Sequence, residues 1–179
     1  MTMPKETVYT SGPGAECPEN KICISLMRRE DIPAVALIEK DNYALPWSAQ
    51  AFCDALEREN YLFLKAEMDG ALAGYCGYLR SFEIAEITNV TVRKEYRRRG
   101  IGEKMLRALM KMGRADGIER FTLEVRRSNE HAIRLYQNLG FVQEGVRRGY
   151  YESPREDALI LWTGVPETGQ GDEKRREEG

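Results

Sequence analysis

The stretch Val92–Leu106, VRKEYRRRGIGEKML, places five basic residues before a glycine pair and the start of a helical pattern. A Walker phosphate loop needs Gly-Lys-Ser/Thr, but Glu103 follows Gly102. A dinucleotide fingerprint needs a third glycine where Met105 stands. What remains is Arg-x-x-Gly-x-Gly before an amphipathic helix. Three features of this stretch favour the binding of an anion: unpaired N–H groups at the start of a helix, glycines that allow a ligand to approach closely, and clustered arginines. A solvated basic turn is the alternative that the loop alone leaves open.

Composition limits the classes of protein to which the chain can belong. Its 179 residues suit one domain, and 42% of them are apolar, enough for a core. The net charge of −2 argues against general nucleic-acid binding, and no apolar run reaches the length of a membrane span. With one histidine we expect no metal site. We expect a cytoplasmic protein whose cysteines are unpaired thiols, namely Cys17, Cys23, Cys53 and Cys76.

Hydrophobic periodicity gives the order of elements. It predicts a strand, two helices, three strands, a helix, a strand, a helix and two strands, which is a mixed α/β single domain over residues 21–165. Residues 1–20 are predicted to be a flexible extension, and residues 166–179 a disordered charged tail. Ser48 and Asn129 are predicted N-caps of helices, and Gly140 a helix C-terminus.

Two strands near the glycine loop show alternating patterns. In the first, Ile87, Asn89 and Thr91 are expected to share one face. In the second, the sequence RFTLEVR over residues 120–126 alternates in the same way, and it puts Glu124 on the polar face. Polar side chains beside the glycine loop are therefore candidates for chemistry.

The order of elements, with this loop after the fourth strand, resembles the GNAT superfamily of acetyl-CoA-dependent N-acetyltransferases. RRRGIG (97–102) is similar to the family's pyrophosphate loop, and ITNVTV (87–92) lies where its fourth strand runs beside pantetheine. SNEHAIRLYQNLGF (128–141) is similar to its Asn-x-x-Ala-x-x-Leu-Tyr-x-x-x-Gly-Phe element. The resemblance covers about residues 22–163 and implies the GNAT fold.

Within that superfamily the chain is most similar to the bacterial ribosomal-protein alanine N-acetyltransferases. The segments that carry this similarity are PWS (46–48), LEVRRSN (123–129), RRGYY (147–151) and EDALIL (156–161). The resemblance implies acetylation of the N-terminal alanine of a small-subunit ribosomal protein. The chain departs from the family at both ends, which are longer than usual.

The resemblance also assigns residues to acetyl-CoA, the expected cosubstrate. Backbone groups of the fourth strand would pair with pantetheine, those of Val90, Thr91 and Val92. The loop would wrap the pyrophosphate with Arg97, Arg98, Arg99, Gly100, Ile101, Gly102 and Glu103. Asn129 would contact coenzyme A, although a capping role needs no ligand.

Acetyl transfer also needs a base for the amine and an acid for the leaving thiolate. The resemblance implies Glu124 as the base, acting through a water, and Tyr136 as the acid. A half-exposed strand glutamate and a core tyrosine are the structural alternatives. Trp47, Tyr150 and Tyr151 are candidate walls of a peptide groove, or packing residues. The pKa of an N-terminal α-amine is near 7.7–8.0, and that of a lysine is near 10.4. A weaker base is therefore enough to deprotonate an N-terminus than to deprotonate a lysine.

Other functions stay open at this stage. The acceptor can be another protein N-terminus, a lysine or a small amine, and a non-enzymatic acetyl-CoA-binding module would keep the same fold. No metal, direct nucleic-acid contact or membrane association is expected. The sequence leaves the oligomeric state open, and a monomer is compatible with it.

Overall fold

The computed structural model describes residues 7–9 and 17–164. Its strands are β1 Thr7–Tyr9, β2 Ile22–Leu26, β3 Tyr61–Met68, β4 Ala71–Ser81, β5 Ile84–Val92, β6 Arg120–Arg126, β7 Phe141–Glu152 and β8 Arg155–Thr163. Its helices are α1 Ile32–Asn42, α2 Ala49–Leu56, α3 Ile101–Ala115 and α4 Glu130–Asn138, with short 3-10 turns at Arg29–Asp31 and Lys94–Tyr96. The predicted order is confirmed from β2 onward, and β1 is an additional strand.

The helix ends follow from local chemistry. The Ser48 hydroxyl accepts a hydrogen bond from the Ala51 N–H at 3.1 Å and begins α2. The Asn129 side-chain oxygen accepts one from the Ala132 N–H at 3.2 Å and begins α4. Gly140, with φ of 87°, follows the end of α4 in the left-handed conformation that glycine adopts without strain. All three predicted helix signals are therefore confirmed.

The eight strands form one sheet in the order β1-β2-β3-β4-β5-β6-β8-β7. Its neighbours are antiparallel except β1–β2 and β5–β6. One hydrophobic cluster joins the sheet to α3 and α4, and a second joins it to α1 and α2. The sheet is thus covered by helices on both faces, as the mixed α/β prediction requires.

The parallel pair β5–β6 separates soon after it begins. Only Ile84–Glu86 of β5 pairs with Arg120–Thr122 of β6. Beyond these residues β5 stays paired with β4, and β6 stays paired with β8. A gap therefore opens in the middle of the sheet, and there one edge of β5 has no partner among the strands that the structure describes.

A β-bulge interrupts β5 at the start of this gap. Asn89 pairs with Gly77, but the next pair on β4 joins Tyr78 to Ile87. Thr88 is therefore an extra residue on β5, and the alternation of side chains reverses across it.

The bulge corrects the predicted faces of β5. Ile87 belongs to the cluster under α3, whereas Asn89 reaches Glu39 of α1 and Thr91 reaches Tyr43 just beyond it. The prediction that Ile87, Asn89 and Thr91 share a face is wrong. It assumed that side chains alternate without interruption along β5, and the extra residue shifts this alternation by one position. The bulge turns two polar side chains towards α1.

The N-terminal segment holds two further differences. β1 pairs in parallel with β2, so residues 7–9 are a strand within the predicted flexible extension. Cys17 is joined to Cys23 by a disulfide with a Cα–Cα distance of 5.7 Å, so the prediction of four free thiols is wrong. A turn between them brings Cys17 beside β2, while Cys53 and Cys76 are free. The predicted tail, residues 166–179, lies outside the described residues.

Candidate active site

The open edge of β5 presents backbone groups to the gap. The carbonyl of Val92 accepts a hydrogen bond from the Arg97 side chain at 3.0 Å. The carbonyl of Val90 accepts one from the Tyr43 hydroxyl at 3.4 Å. Both carbonyls receive side-chain donors rather than a neighbouring strand. An extended ligand with amide groups could therefore pair with this edge as a strand would.

The glycine loop is shaped as an anion cradle. Arg98 has φ of 63° and Gly100 has φ of 76°, so two left-handed residues bend the chain directly before α3. Gly100 begins α3 without a side-chain cap, which leaves the first N–H groups of the helix unpaired. A Cβ built on Gly100 would meet nothing within 4 Å, so space is open above these groups. The loop could therefore hold an anionic group.

The three arginines of the loop have different surroundings. Arg97 bonds Asn42 at the end of α1 as well as the Val92 carbonyl. Arg99 is half-buried, with its guanidinium 5.6 Å from the Tyr96 ring centre. Arg98 is exposed and makes no hydrogen bond or ion pair with any residue that the structure describes. Arg98 is therefore the arginine most available to a ligand, whereas Arg97 and Arg99 already brace the loop.

Glu124 lies on β6 beside the gap, with its side chain 18% exposed. One of its oxygens is 2.8 Å from a guanidinium nitrogen of Arg147. The Tyr150 hydroxyl donates a hydrogen bond to Glu124, which raises the pKa of Tyr150. A register shift in β7 between Arg147 and Tyr151 gathers these side chains over β6. The Glu124 side chain is thus contacted by two partners on one strand, β7.

Tyr151 stands next to the same carboxylate. Burial, and then the charge of Glu124, raises the pKa of Tyr151 to about 12. Its ring lies 5.0 Å from that of Tyr150, and the Arg126 guanidinium lies 4.0 Å from its centre. Two of the three predicted substrate-binding residues are therefore brought to Glu124.

Tyr136 projects from α4 into the cluster under α3 and is 9% exposed. Its ring contacts Phe141, with centres 5.8 Å apart. Burial raises the pKa of Tyr136, so its hydroxyl keeps its proton well above neutral pH. That hydroxyl makes no hydrogen bond to any residue in the described part of the chain. It is also not one of the fully buried polar atoms there that lack a hydrogen-bond partner. The oxygen therefore has access to space, as a proton donor to a ligand requires.

Comparison with known proteins shows the family to which the chain belongs. Residues 26–141 match the Acetyltransferase (GNAT) family. The chain belongs to the GNAT acetyltransferase family. It is an acetyl-CoA-dependent N-acetyltransferase, and the predicted fold and enzyme class are confirmed.

This GNAT enzyme is similar to two bacterial ribosomal protein bS18-alanine N-acetyltransferases. It is 35% identical over 140 residues to the ribosomal protein bS18-alanine N-acetyltransferase of Escherichia coli K12, covering 77% of this chain and 94% of the relative. Its identity to the Salmonella typhimurium protein of that name is 36% over 140 residues, with the same coverage. A crystal structure of the Escherichia coli enzyme superposes with a TM-score of 0.76 at 33% identity, covering 84% and 98% of the two chains.

Trp47 occupies a different part of the GNAT enzyme. Its ring packs in the cluster under α1 and α2, 5.3 Å from that of Phe52 and 6.1 Å from that of Phe63. Another side of Trp47 borders a shallow apolar groove of about 430 Å³ along α1. The structure therefore gives Trp47 a packing role, and its predicted contact with a peptide stays a prediction.

Sequence reasoning missed a buried carboxylate near the gap. Glu39 of α1 is 1% exposed. It accepts hydrogen bonds from the Tyr75 hydroxyl, from the Trp47 N–H at 3.2 Å and from the Asn89 side chain at 3.4 Å. Burial raises the pKa of Glu39. No spacing in the sequence marks it, because its partners lie on other elements.

Within residues 17–164 no group of three or more His, Cys, Asp or Glu side chains is arranged to hold a metal ion. None of the helices in the described part is long and apolar enough to cross a membrane.

Proposed function

We propose that this enzyme transfers the acetyl group of acetyl-CoA to the N-terminal α-amine of a protein. The proposed acceptor is the N-terminal alanine of a small-subunit ribosomal protein in the cytoplasm, and residues 21–165 are the catalytic unit. The relatives named for that activity support the acceptor. The observation that supports the chemistry is the gap between β5 and β6, which Glu124 borders from β6.

Acetyl-CoA, when bound, supplies the thioester carbonyl that the amine attacks. Pantetheine would lie along Val90, Thr91 and Val92, where the edge of β5 has no strand partner. The pyrophosphate would lie on the loop of residues 97–103, where the unpaired N–H groups of α3 and the free Arg98 offer positive charge. Asn129 would approach coenzyme A from the start of α4, while its own side chain caps that helix.

Glu124 is the proposed base. An α-amine near pKa 7.7–8.0 is about a tenth neutral at neutral pH, so a carboxylate that takes its proton through one water suffices. The Arg147 guanidinium pairs with the Glu124 side chain, and the Tyr150 hydroxyl contacts it, so both help to fix its direction. Deprotonation of a lysine, whose pKa is about 10.4, would require a much stronger base than deprotonation of an α-amine.

Tyr136 is the proposed acid that protonates the departing thiolate. It would reach the gap from the α4 side, and its raised pKa would keep the proton in place until the thiolate forms. Because burial disfavours the phenolate, Tyr136 does not readily donate its proton to water. A thiolate held against it is a stronger acceptor, since thiol pKa values lie near 8.5.

Tyr150 and Tyr151 are the proposed walls of the peptide site. Tyr150 is 44% exposed and its hydroxyl touches the proposed base, so its ring edge borders the route to Glu124. A peptide that approaches along β7 would pass these rings before its amine reaches the carboxylate.

Intact-mass analysis tests the proposal. Purified small-subunit ribosomal proteins are incubated with the enzyme and acetyl-CoA, and we expect one of them to gain a single acetyl group on its N-terminal alanine. A parallel thiol-release assay compares a peptide that begins Ala-Arg with spermidine and with no acceptor. Equal release in the three reactions, or acetylation of lysine alone, would contradict the proposed acceptor.

A further inference from the structure

Glu39 is a buried side chain that no step of the proposed reaction uses. It lies on α1 and is 1% exposed, next to Ile38 of the apolar cluster that joins α1 and α2 to the sheet. Burial of a carboxyl group costs stability, and apolar residues of similar volume at such positions are often no less stable. Stability alone therefore does not account for a glutamate at this position.

The carboxyl group of Glu39 links two strands of the sheet beside the bulge. On β4 the Tyr75 hydroxyl donates a hydrogen bond to it, and on β5 the Asn89 side chain donates one at 3.4 Å. Asn89 directly follows Thr88, the extra residue of the bulge, and pairs with Gly77, two residues along β4 from Tyr75. One acceptor on α1 therefore holds a diagonal pair of side chains across β4 and β5.

The Asn89 side chain depends on Glu39 for its orientation. Its Nδ2 atom donates to Glu39, and its Oδ1 atom is buried without a hydrogen-bond partner in the described part of the chain. Because Asn89 is 5% exposed, bulk water does not replace the bond to Glu39. If β5 slipped by one residue, Asn89 would leave Glu39 and turn towards the apolar cluster under α3, where a buried amide is costly.

The position of the bulge decides which backbone groups of β5 face the gap. In the observed register the carbonyls of Val90 and Val92 accept side-chain donors at the open edge. Backbone groups alternate in direction along a strand, so a slip of one residue would turn both carbonyls towards β4. Beyond Glu86 no other strand that the structure describes pairs with this edge. The register there depends on β4 and on side-chain bonds such as that of Asn89 to Glu39.

We propose that Glu39 is a positioning residue for acetyl-CoA. By holding Asn89 it keeps the bulge at Thr88, and it thereby keeps the backbone groups of Val90 and Val92 turned towards the ligand. Glu39 acts through Asn89 and β5 rather than by contact with the ligand. This inference rests on the proposed function, which places pantetheine along this edge of β5.

Replacing Asn89 tests the link from Glu39 to the strand edge. Asn89→Leu keeps the branching of the side chain and removes its bond to Glu39. We expect the Kd of acetyl-CoA, measured by calorimetry, to rise about tenfold, the effect of about one lost hydrogen bond. The KM of an alanine-initiated peptide should stay close to that of the unsubstituted enzyme, because Glu124 and Tyr150 are untouched.

A paired substitution tests whether Glu39 acts through Asn89. Asn89→Asp sets two carboxyl groups against each other, so it should weaken acetyl-CoA binding more than Asn89→Leu does. Adding Glu39→Gln restores a donor and an acceptor at this contact. The double variant should therefore bind acetyl-CoA more tightly than Asn89→Asp alone. Losses that simply add would show that the two residues act separately, and would overturn the inference.

Ile24→Val is the control for a loss of stability alone. Ile24 is 2% exposed on β2, and β3 and β4 separate it from β5. Its substitution should lower Tm and leave the Kd of acetyl-CoA unchanged, measured at a temperature where every variant is folded. An unchanged Kd in folded Asn89→Leu, or an equal rise in Ile24→Val, overturns the role of Glu39. Asn89→Ala serves if Asn89→Leu does not fold.

The binding measurement needs no acceptor, so it separates this inference from the proposed function. An unsubstituted enzyme that binds acetyl-CoA but acetylates no free N-terminus overturns the proposed acceptor and leaves the role of Glu39 intact. An unsubstituted enzyme that binds no acetyl-CoA overturns both.

Discussion

Replacing Tyr136 with phenylalanine should remove catalysis and leave the fold intact. The ring that contacts Phe141 is retained, and the lost hydroxyl bonds no residue in the described part of the chain. No buried partner is left unsatisfied by the change. We therefore expect the free energy of unfolding to stay within about 0.5 kcal/mol of the original, a shift in Tm of about 2 °C or less.

Turnover should respond very differently. Loss of a general acid slows a reaction by about 10²–10⁴-fold, which corresponds to about 3 to 5 kcal/mol of activation free energy. Raising the pH should not restore the rate, because an alkaline solution supplies no proton to the leaving thiolate. In the unsubstituted enzyme the raised pKa of Tyr136 keeps the acid protonated past its ordinary value of about 10. Its own rate should therefore not fall on the alkaline side below that pH.

The measurement is thiol release from acetyl-CoA with an alanine-initiated peptide, from about pH 6 to about pH 10, beside thermal unfolding with and without acetyl-CoA. Tyr61→Phe is the matched control, since the Tyr61 ring is packed and its hydroxyl bonds nothing in the described residues. Wild-type turnover in Tyr136→Phe would refute the role of acid. A large fall in Tm would instead make Tyr136 a packing residue.

Three further changes test the rest of the site. Glu124→Gln should lower turnover by about 10²–10⁴-fold, with part of the loss recovered at higher pH, where the amine deprotonates unaided; a pH profile identical to that of Tyr136→Phe would argue against the two roles. Gly102→Asp should abolish the thermal shift with acetyl-CoA, because it would add a negative charge to the loop proposed to bind the phosphates. Gly102→Ala should keep the shift, because its Cβ would meet Leu135 at an ordinary 3.6 Å. A peptide with a free N-terminal alanine should react faster than the same peptide blocked at its N-terminus but carrying lysine, and equal rates measured by mass spectrometry would point to a lysine acetyltransferase.

The parts of the fold that depend on neighbours in sequence were predictable. Ser48 and Asn129 cap helices through atoms three residues away, and Gly140 ends one by its own backbone angle. The loop at residues 97–102 likewise combines glycine geometry with a helix start, so its shape as an anion cradle follows from local rules. Glu124 was placed on the correct face because β6 alternates without interruption.

The features that were missed depend on distant residues or on an irregular register. Glu39 and Asn89 are fifty positions apart, and nothing in either local pattern indicates the other. Cys17 and Cys23 are near in sequence, but their pairing depends on how the turn lies against β2. Tyr43 follows the last turn of a helix and looks like an ordinary surface aromatic until β5 is placed beside it.

The bulge at Thr88 links these missed features to the chemistry. Without it, Asn89 and Thr91 would point towards α3, where the cluster around Ile87 is apolar, and their polar atoms would be buried without partners. With it, Asn89 reaches Glu39 and Thr91 reaches Tyr43, so α1 is anchored beside the gap. The same insertion leaves Val90 packed under α3 while its carbonyl faces the Tyr43 hydroxyl. One extra residue in a strand therefore determines both which side chains β5 turns towards α1 and how the end of α1 is anchored at the open edge of β5.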